Sequence, residues 1–270
     1  MGENAPSEMV RADDRAVKAS LDDRIARATE LAITYPAARD LLNFYRELAL
    51  FQKPVYEELR SSDQTDIHAL LPHFPALLQL VRRAGPAPLA DFGAEHLQSP
   101  DAQEKLLLAS WENPAENDLP LTEGGRFYAR VLLQPYAEYL ASRGRLDAET
   151  TEAICPFCSA RPVAGVLRGE GDGAKRWLLC SMCSTEWQYR RVVCPGCGEQ
   201  DKDSLPIYTA SDFDHVRVDA CDRCKTYIKS VDLTRNGHAI PVVDELATVA
   251  LNIWAENQGY SKLEANLLGL

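Results

Sequence analysis

Residues 155–224 read CPFCSARPVAGVLRGEGDGAKRWLLCSMCSTEWQYRRVVCPGCGEQDKDSLPIYTASDFDHVRVDACDRC, and this stretch holds all eight cysteines of the 270-residue chain. They stand as four Cys-x-x-Cys pairs: Cys155/Cys158, Cys180/Cys183, Cys194/Cys197 and Cys221/Cys224. A pair spaced this way can wrap two thiolates around one ion, and two pairs complete a tetrahedral four-sulfur site. Four pairs therefore predict two metal sites. Between Cys158 and Cys180 lie 21 residues and between Cys197 and Cys221 lie 23, whereas only 10 separate Cys183 from Cys194. The spacing predicts two successive ribbons of nearly equal size, each folding on its own metal, rather than one interleaved network.

Four thiolates close the coordination sphere and leave no position for water or substrate, so Lewis-acid catalysis is not expected. Zinc and iron both accept such a set. Cys194-Pro195-Gly196-Cys197-Gly198 resembles the knuckles of rubredoxin, and sulfur-ligated iron can exchange one electron, so both metals stay open. Disulfides suit an oxidising compartment. The start, Met1 to Asp14, lacks the apolar core of a secretion signal, and no apolar run approaches the roughly 20 residues that span a bilayer. The expectation is a cytoplasmic protein with reduced, metal-ligating cysteines.

The formal net charge is -11 and the pI is near 5.0. Residues 1–150 carry 16 basic and 24 acidic side chains, and residues 155–230 carry 11 and 10. Eight thiolates on two divalent ions would turn the latter region negative. No basic platform for a polyphosphate backbone remains, which argues against a nucleic-acid-binding ribbon protein. There is also no phosphate loop, no Gly-x-Ser-x-Gly elbow and no nucleophile triad.

Outward from the cysteines, residues 1–16 have few large apolar side chains and read as a flexible arm. Residues 17–144 read as an all-helical domain. Leu21, Ile25, Ala28 and Leu31 give one helical face; Leu41, Phe44, Leu48 and Phe51 give a second, with a bend or restart expected at Pro54. Leu70 to Val81, Leu106 to Trp111 and Glu123 to Ser142 supply three more, the last with a kink expected at Pro135, and Gly85-Pro86-Ala87-Pro88 should be irregular. Residues 145–188 and 189–236 then form the two four-cysteine ribbons, with strands expected at Trp177–Leu179, Trp187–Val193, Leu205–Thr209, His215–Val218 and Thr226–Leu233. Residues 237–270 add a C-terminal helix from Asp244 to Glu256, with Leu246, Ala247, Ala250, Ile253 and Trp254 on one face, and an apolar tail expected to dock on its own protein. The fold class is thus mixed: an N-terminal all-helical domain, two rubredoxin-like or zinc-ribbon modules with small β-sheets, and a C-terminal helix.

Among the histidines, His68, His73 and His96 lack a matched set of carboxylates, and His238 has no site role. His215, Arg217 and Asp219 alternate along one strand and share a face, where they either contact a partner, support the metal ligands or stabilise the fold locally.

The flanks of the cysteines carry a family likeness. Cys155-Pro156-Phe157-Cys158; Cys180-Ser181-Met182-Cys183 with Thr185, Glu186 and Trp187; the Cys194–Gly198 knuckle; Arg217 through Cys221 and Cys224 to Tyr227; and His238-Ala239-Ile240-Pro241-Val242-Val243-Asp244 with the helix ending near Trp254 occur in this order. The chain resembles the formate dehydrogenase accessory proteins of the FdhE family, over essentially residues 35–270. That resemblance implies a non-catalytic cytoplasmic maturation factor, or chaperone, that binds the catalytic subunit of a respiratory formate dehydrogenase before export. It also implies that the eight cysteines hold two metal ions, with iron a candidate. A redox-active iron protein acting on the client is the alternative.

Overall fold

The computed structural model describes residues 19–112, 122–144, 152–171 and 173–270. The expected arm at 1–16 and the start of the first ribbon, 145–151, lie outside these residues. The first half is helical. Helix α1 (Leu21–Thr34) starts where Ser20 and Asp23 exchange hydrogen bonds in a capping box, the Ser20 hydroxyl accepting from the Asp23 N–H and the Asp23 carboxylate from the Ser20 N–H. Helix α2 (Arg39–Ser61) packs along it. A 3-10 turn at Ile67–His73 leads into α3 (Phe74–Ala84), followed by α4 (Ala87–His96), α5 (Pro100–Glu112) and α6 (Glu123–Arg143).

Pro54 and Pro135 both lie inside continuous helices. Pro54 neither ends nor restarts α2, because the buried row Leu48, Val55 and Leu59 continues across it and its lost hydrogen bond would have gone to Leu50, at the exposed surface. Pro135 likewise leaves the Val131 carbonyl without its helical donor. Gln52 of α2 supplies one: its Nε2 donates to that oxygen at 2.9 Å. The Gly85–Pro88 stretch is not irregular throughout, since α4 begins at Ala87 with Pro88 in its first turn, where a missing N–H costs nothing.

The second half contributes one sheet. Its strands are β1 (Pro162–Glu170), β2 (Gly173–Cys180), β3 (Glu186–Tyr189), β4 (Ile207–Thr209), β5 (Val216–Ala220), β6 (Thr226–Asp232) and the short β7 (Ser261–Lys262). They lie in the order β3-β2-β1-β6-β5-β4, with β7 paired to β6. The joint between the two halves is the parallel pair β1–β6, in which Ala164 faces Lys229 and Leu167 faces Asp232; β2, β3, β4 and β5 join by antiparallel pairing. The expected Trp187–Val193 strand stops at Tyr189, and residues beyond it turn toward Cys194. Strand β1 was not expected at all: Pro162, Gly165 and Gly169 look like turn residues. Gly165 is there because the Ser230 hydroxyl of β6 occupies the place a Cβ would need.

The C-terminal helix is two helices, α7 (Pro241–Ala247) and α8 (Val249–Asn257). Lys229 Nζ donates to the Glu245 carbonyl and to the Thr248 carbonyl at 3.3 Å, and the Thr248 hydroxyl donates to the Asp244 and Glu245 carbonyls, each at 3.0 Å. These donors take acceptors that the next helical turn would use, so the helix breaks at Thr248. The expected single apolar face breaks with it, and Ile253 is 58% exposed. Helix α7 sits against α1, α2, β1 and β6. Beyond α8, Leu263 and Leu267 are buried.

The main apolar core runs from the helices, through Leu132 and Tyr136 of α6, to Cys155, Cys180, Cys183 and Trp187. Among the described residues, no helix is long and apolar enough to cross a membrane.

Candidate metal centres

The eight cysteines converge in two groups that follow chain order. Cys155, Cys158, Cys180 and Cys183 bring their sulfurs within 4.8 Å of one another, and so do Cys194, Cys197, Cys221 and Cys224. Each knuckle is built alike. The first cysteine donates its N–H to the carbonyl five residues on: Cys155 to Ala160 and Cys180 to Thr185 at 2.9 Å, Cys194 to Glu199 at 2.8 Å, Cys221 to Thr226 at 2.9 Å. The residue after the second cysteine is left-handed in all four: Ser159, Ser184, Gly198 and Lys225, with φ of 60°, 53°, 76° and 56°. This bend turns the chain back so that both sulfurs of a pair point inward.

Sulfur separations of 3.6, 3.4 and 3.5 Å in the first group and 3.7 and 3.7 Å in the second match the edge of about 3.8 Å that a tetrahedron of 2.3 Å metal–sulfur bonds requires. Both groups are therefore four-cysteine clusters capable of coordinating a metal ion. Their sulfurs are also prepared for charge. The Met182 N–H donates to Cys180 at 3.3 Å and the Gly196 N–H to Cys194 at 3.3 Å. The Thr185 hydroxyl lies 3.1 Å from Cys183, and the Thr226 hydroxyl 3.0 Å from Cys224. In the first cluster, burial pushes the Cys180 thiol up, while hydrogen bonds from Cys155, Cys158 and Cys180 hold Cys183 well below its ordinary value. In the second, burial pushes Cys194 up to about 12. Burial acts the same way on Cys224, but the Thr226 hydroxyl and N–H outweigh it and bring that thiol down to about 7. Binding of an ion by either cluster releases the protons its thiols still carry.

The clusters differ in setting. Cys155, Cys180 and Cys183 belong to the main core, whereas Cys197 is exposed and Cys224 half-buried. Helix α6 grips the first cluster from its buried face: Gln134 Nε2 donates to the Ser181 carbonyl at 2.9 Å, and the Ser184 hydroxyl to Glu138 at 2.5 Å, while Arg24 of α1 donates to the same carboxylate at 2.9 Å. Sequence reasoning missed this pair. The available signal was two polar residues four apart on an otherwise apolar helix face. Sequence reasoning also missed the repeated Cys-x-x-Cys-x-Thr of the second knuckle in each cluster, Cys180 to Thr185 and Cys221 to Thr226.

Arg217 and Asp219 alternate along β5, but the strand starts at Val216 and His215 lies in the turn just before it, and the three serve different partners. The imidazole Nε2 of His215 is 2.8 Å from Asp244, which also takes a two-pronged contact from Arg27 at 2.6 and 3.0 Å, so α1, the turn before β5 and α7 meet there. Arg217 pairs with Asp219 at 2.8 Å, and Asp219 accepts from Ser230 at 2.7 Å. The bond to Asp244 raises the His215 pKa above its ordinary 6.5 against the opposing effect of burial. Stabilisation by charged His215 is thus complete below about pH 6.5 and is lost as pH rises through the raised value. In thermal unfolding against pH, His215→Gln should fall furthest below the parent in mild acid, and the gap should narrow toward alkaline pH. A gap independent of pH would show that the imidazole acts only through packing.

The chain is thus an α/β protein with a helical N-terminal region and, in its sheet region, two four-cysteine clusters each capable of coordinating a metal ion. Comparisons with known proteins identify its family. Family profiles described as FdhE, central domain and FdhE, C-terminal domain match residues 154–191 and 180–268. A protein FdhE homolog of Aquifex aeolicus is 34% identical over 208 residues, covering 76% of this chain and 71% of the relative. One of Cronobacter sakazakii is 29% identical over 270 residues, covering 90% and 85%. The crystal structure of the FdhE protein from Pseudomonas aeruginosa superimposes with a TM-score of 0.70 over 97% of both chains at 22% identity, which shows the shared fold. The chain belongs to the FdhE family.

Proposed function

We propose that this protein is a cytoplasmic maturation factor that binds the catalytic subunit of a respiratory formate dehydrogenase before that subunit is exported. The observation that supports this reading is the pair of ready-made four-thiolate clusters within a chain of the FdhE family. Cys155, Cys158, Cys180 and Cys183 would hold one ion and Cys194, Cys197, Cys221 and Cys224 the other, iron or zinc, and either would fix the ribbons as a rigid platform. Client recognition then falls to the protein surface, since no ligand position is left open at the ions.

The test is retention of the client. Protein purified anaerobically from its native cytoplasm should carry two ions per chain and retain the formate dehydrogenase catalytic subunit at moderate salt, while ignoring nucleic acid. Tight nucleic-acid binding without client retention would overturn the reading. A second reading, a redox role toward the client, is favoured by the exposure of Cys197. It requires iron with reversible thiolate charge-transfer absorption, and two zinc ions with no visible band would dispose of it.

A further inference from the structure

A pocket of about 180 Å³ opens between β2, β5 and the Cys194 knuckle. For comparison, an engineered cavity of about 150 Å³ holds one benzene ring, so this one has room for a single large side chain. Its walls include Val193, Pro195, Leu205 and Leu263, and its lining includes Val192 and Ile207, which are 50% and 55% exposed. Four cations also line it: Arg176, Arg191, Lys202 and Arg217. In a chain of net charge -11 this is a local inversion of sign. The opposing charges are Asp219, already engaged by Arg217 and Ser230, and the second cluster, whose Cys194 and Cys221 reach the lining. Four thiolates on a divalent ion carry two negative charges, so the balance around the pocket stays positive.

Arg176 is the informative member. It is 3% exposed, and its Nη1 donates to the Val193 carbonyl at 3.2 Å. Its Nη2 stands 3.6 Å from Asp219 without a hydrogen bond, and neither Nη2 nor Nε has a hydrogen-bond acceptor. A guanidinium buried beside a pocket with donors to spare is what a carboxylate would complete. Strand β4, which carries Ile207, ends the sheet, and among the described residues no strand pairs with its outer side.

We infer that this pocket docks an extended acidic segment of the client, one that sets a carboxylate beside a large apolar side chain. The carboxylate meets Arg176 and Arg217, the apolar side chain fills the space under Val192 and Ile207, and the backbone runs beside β4. A nucleotide or other polyanion is disfavoured by the size of the pocket and by the charge of the whole chain. The inference rests on the client-binding reading and names the chemistry of one contact within it.

The experiment uses the full chain with both clusters loaded and follows the fluorescence anisotropy of a labelled, end-blocked peptide with Leu-Glu-Leu at its centre. Its counterpart has Leu-Gln-Leu. The acidic peptide should bind about tenfold or more tightly than the neutral one, the effect of one charge-assisted hydrogen-bonded contact. Lys202→Glu and Ile207→Asp, both at exposed positions, should each weaken the acidic peptide about tenfold with two ions still bound. Arg176→Met should abolish the preference for the acidic peptide. Because Arg176→Met risks the fold, the two surface variants decide the matter. Equal binding of the two peptides, no binding of either, or indifference to the surface variants overturns the inference, as does displacement of the acidic peptide by ATP. If the parent protein retains the client subunit while failing to bind the peptide, the pocket assignment alone is lost; if it fails to retain the client, the proposed function is lost with it.

Discussion

Replacing Cys183 with Ala should unload the first cluster and unfold the sheet region with it. Cys183 is completely buried and is part of the main core, so its loss removes a ligand and opens a hole in that core. Structural four-ligand zinc sites contribute about 10–16 kcal/mol in small peptides at neutral pH, as large as the whole stability of an ordinary domain, about 5–15 kcal/mol. No remaining interaction in the region can offset that. Cys197→Ala should behave differently: its sulfur is exposed, the residue belongs to none of the buried clusters, and the expected result is one ion lost from a chain whose helices and first cluster stay folded. Metal-to-protein ratio, circular dichroism and hydrogen exchange on the two variants provide the comparison. Two ions retained by Cys183→Ala, with an unchanged melting temperature, would remove the first cluster from the list of structural centres.

The second large effect lies at Glu245. This carboxylate is buried between two lysines, with Lys229 Nζ 2.9 Å from its Oε1, Lys262 on the same oxygen and Asn266 donating to Oε2 at 2.9 Å. Burial alone would raise its pKa, but Lys229 and Lys262 overcome that and hold it at about 2. Lys229 moves the other way, to about 8, because its burial outweighs what Glu245 returns and Lys262 repels it. The site is a charged joint in which the acid is what makes the lysines tolerable. Glu245→Gln should cost about 3–5 kcal/mol, the typical penalty for orphaning a buried charge, and lower the melting temperature by about 10 °C. The parent should show the same dependence as acid is added. Because the folded pKa is depressed, the contribution of Glu245 is complete above about pH 4.5 and fades as pH falls toward 2. A variant as stable as the parent at neutral pH would mean that Lys229 gives up its proton instead of its partner.

The cysteine spacing read correctly because it is local chemistry: a loop of 21 or 23 residues between pairs is short enough to close on itself, and the four sulfurs of each cluster follow chain order. The helices of the first half were legible from their apolar periodicity for the same reason. What was hidden depends on distant residues. The donor for the carbonyl that Pro135 leaves open comes from Gln52, 83 positions earlier. Gly165 reads as punctuation until Ser230 is placed against it. The break at Thr248 is set by Lys229 from the neighbouring sheet. Gly198 announces a left-handed bend, but Ser159, Ser184 and Lys225 adopt the same conformation without a residue that advertises it. At the candidate site the eight cysteines were visible, and the helix that holds them was not: Gln134 and Glu138 look like ordinary polar interruptions of α6.

The parallel joint between β1 and β6 bears on synthesis. A chain leaving the ribosome can close its first cluster once Cys183 has emerged, and β2 can then cover one side of β1. The other side waits for Thr226–Asp232, and Lys229 within that strand waits in turn for Glu245. Until those residues arrive, the nascent protein displays an unpaired strand edge, so the interval between the first and second clusters is when it is most exposed to pairing with a neighbour on the same polysome.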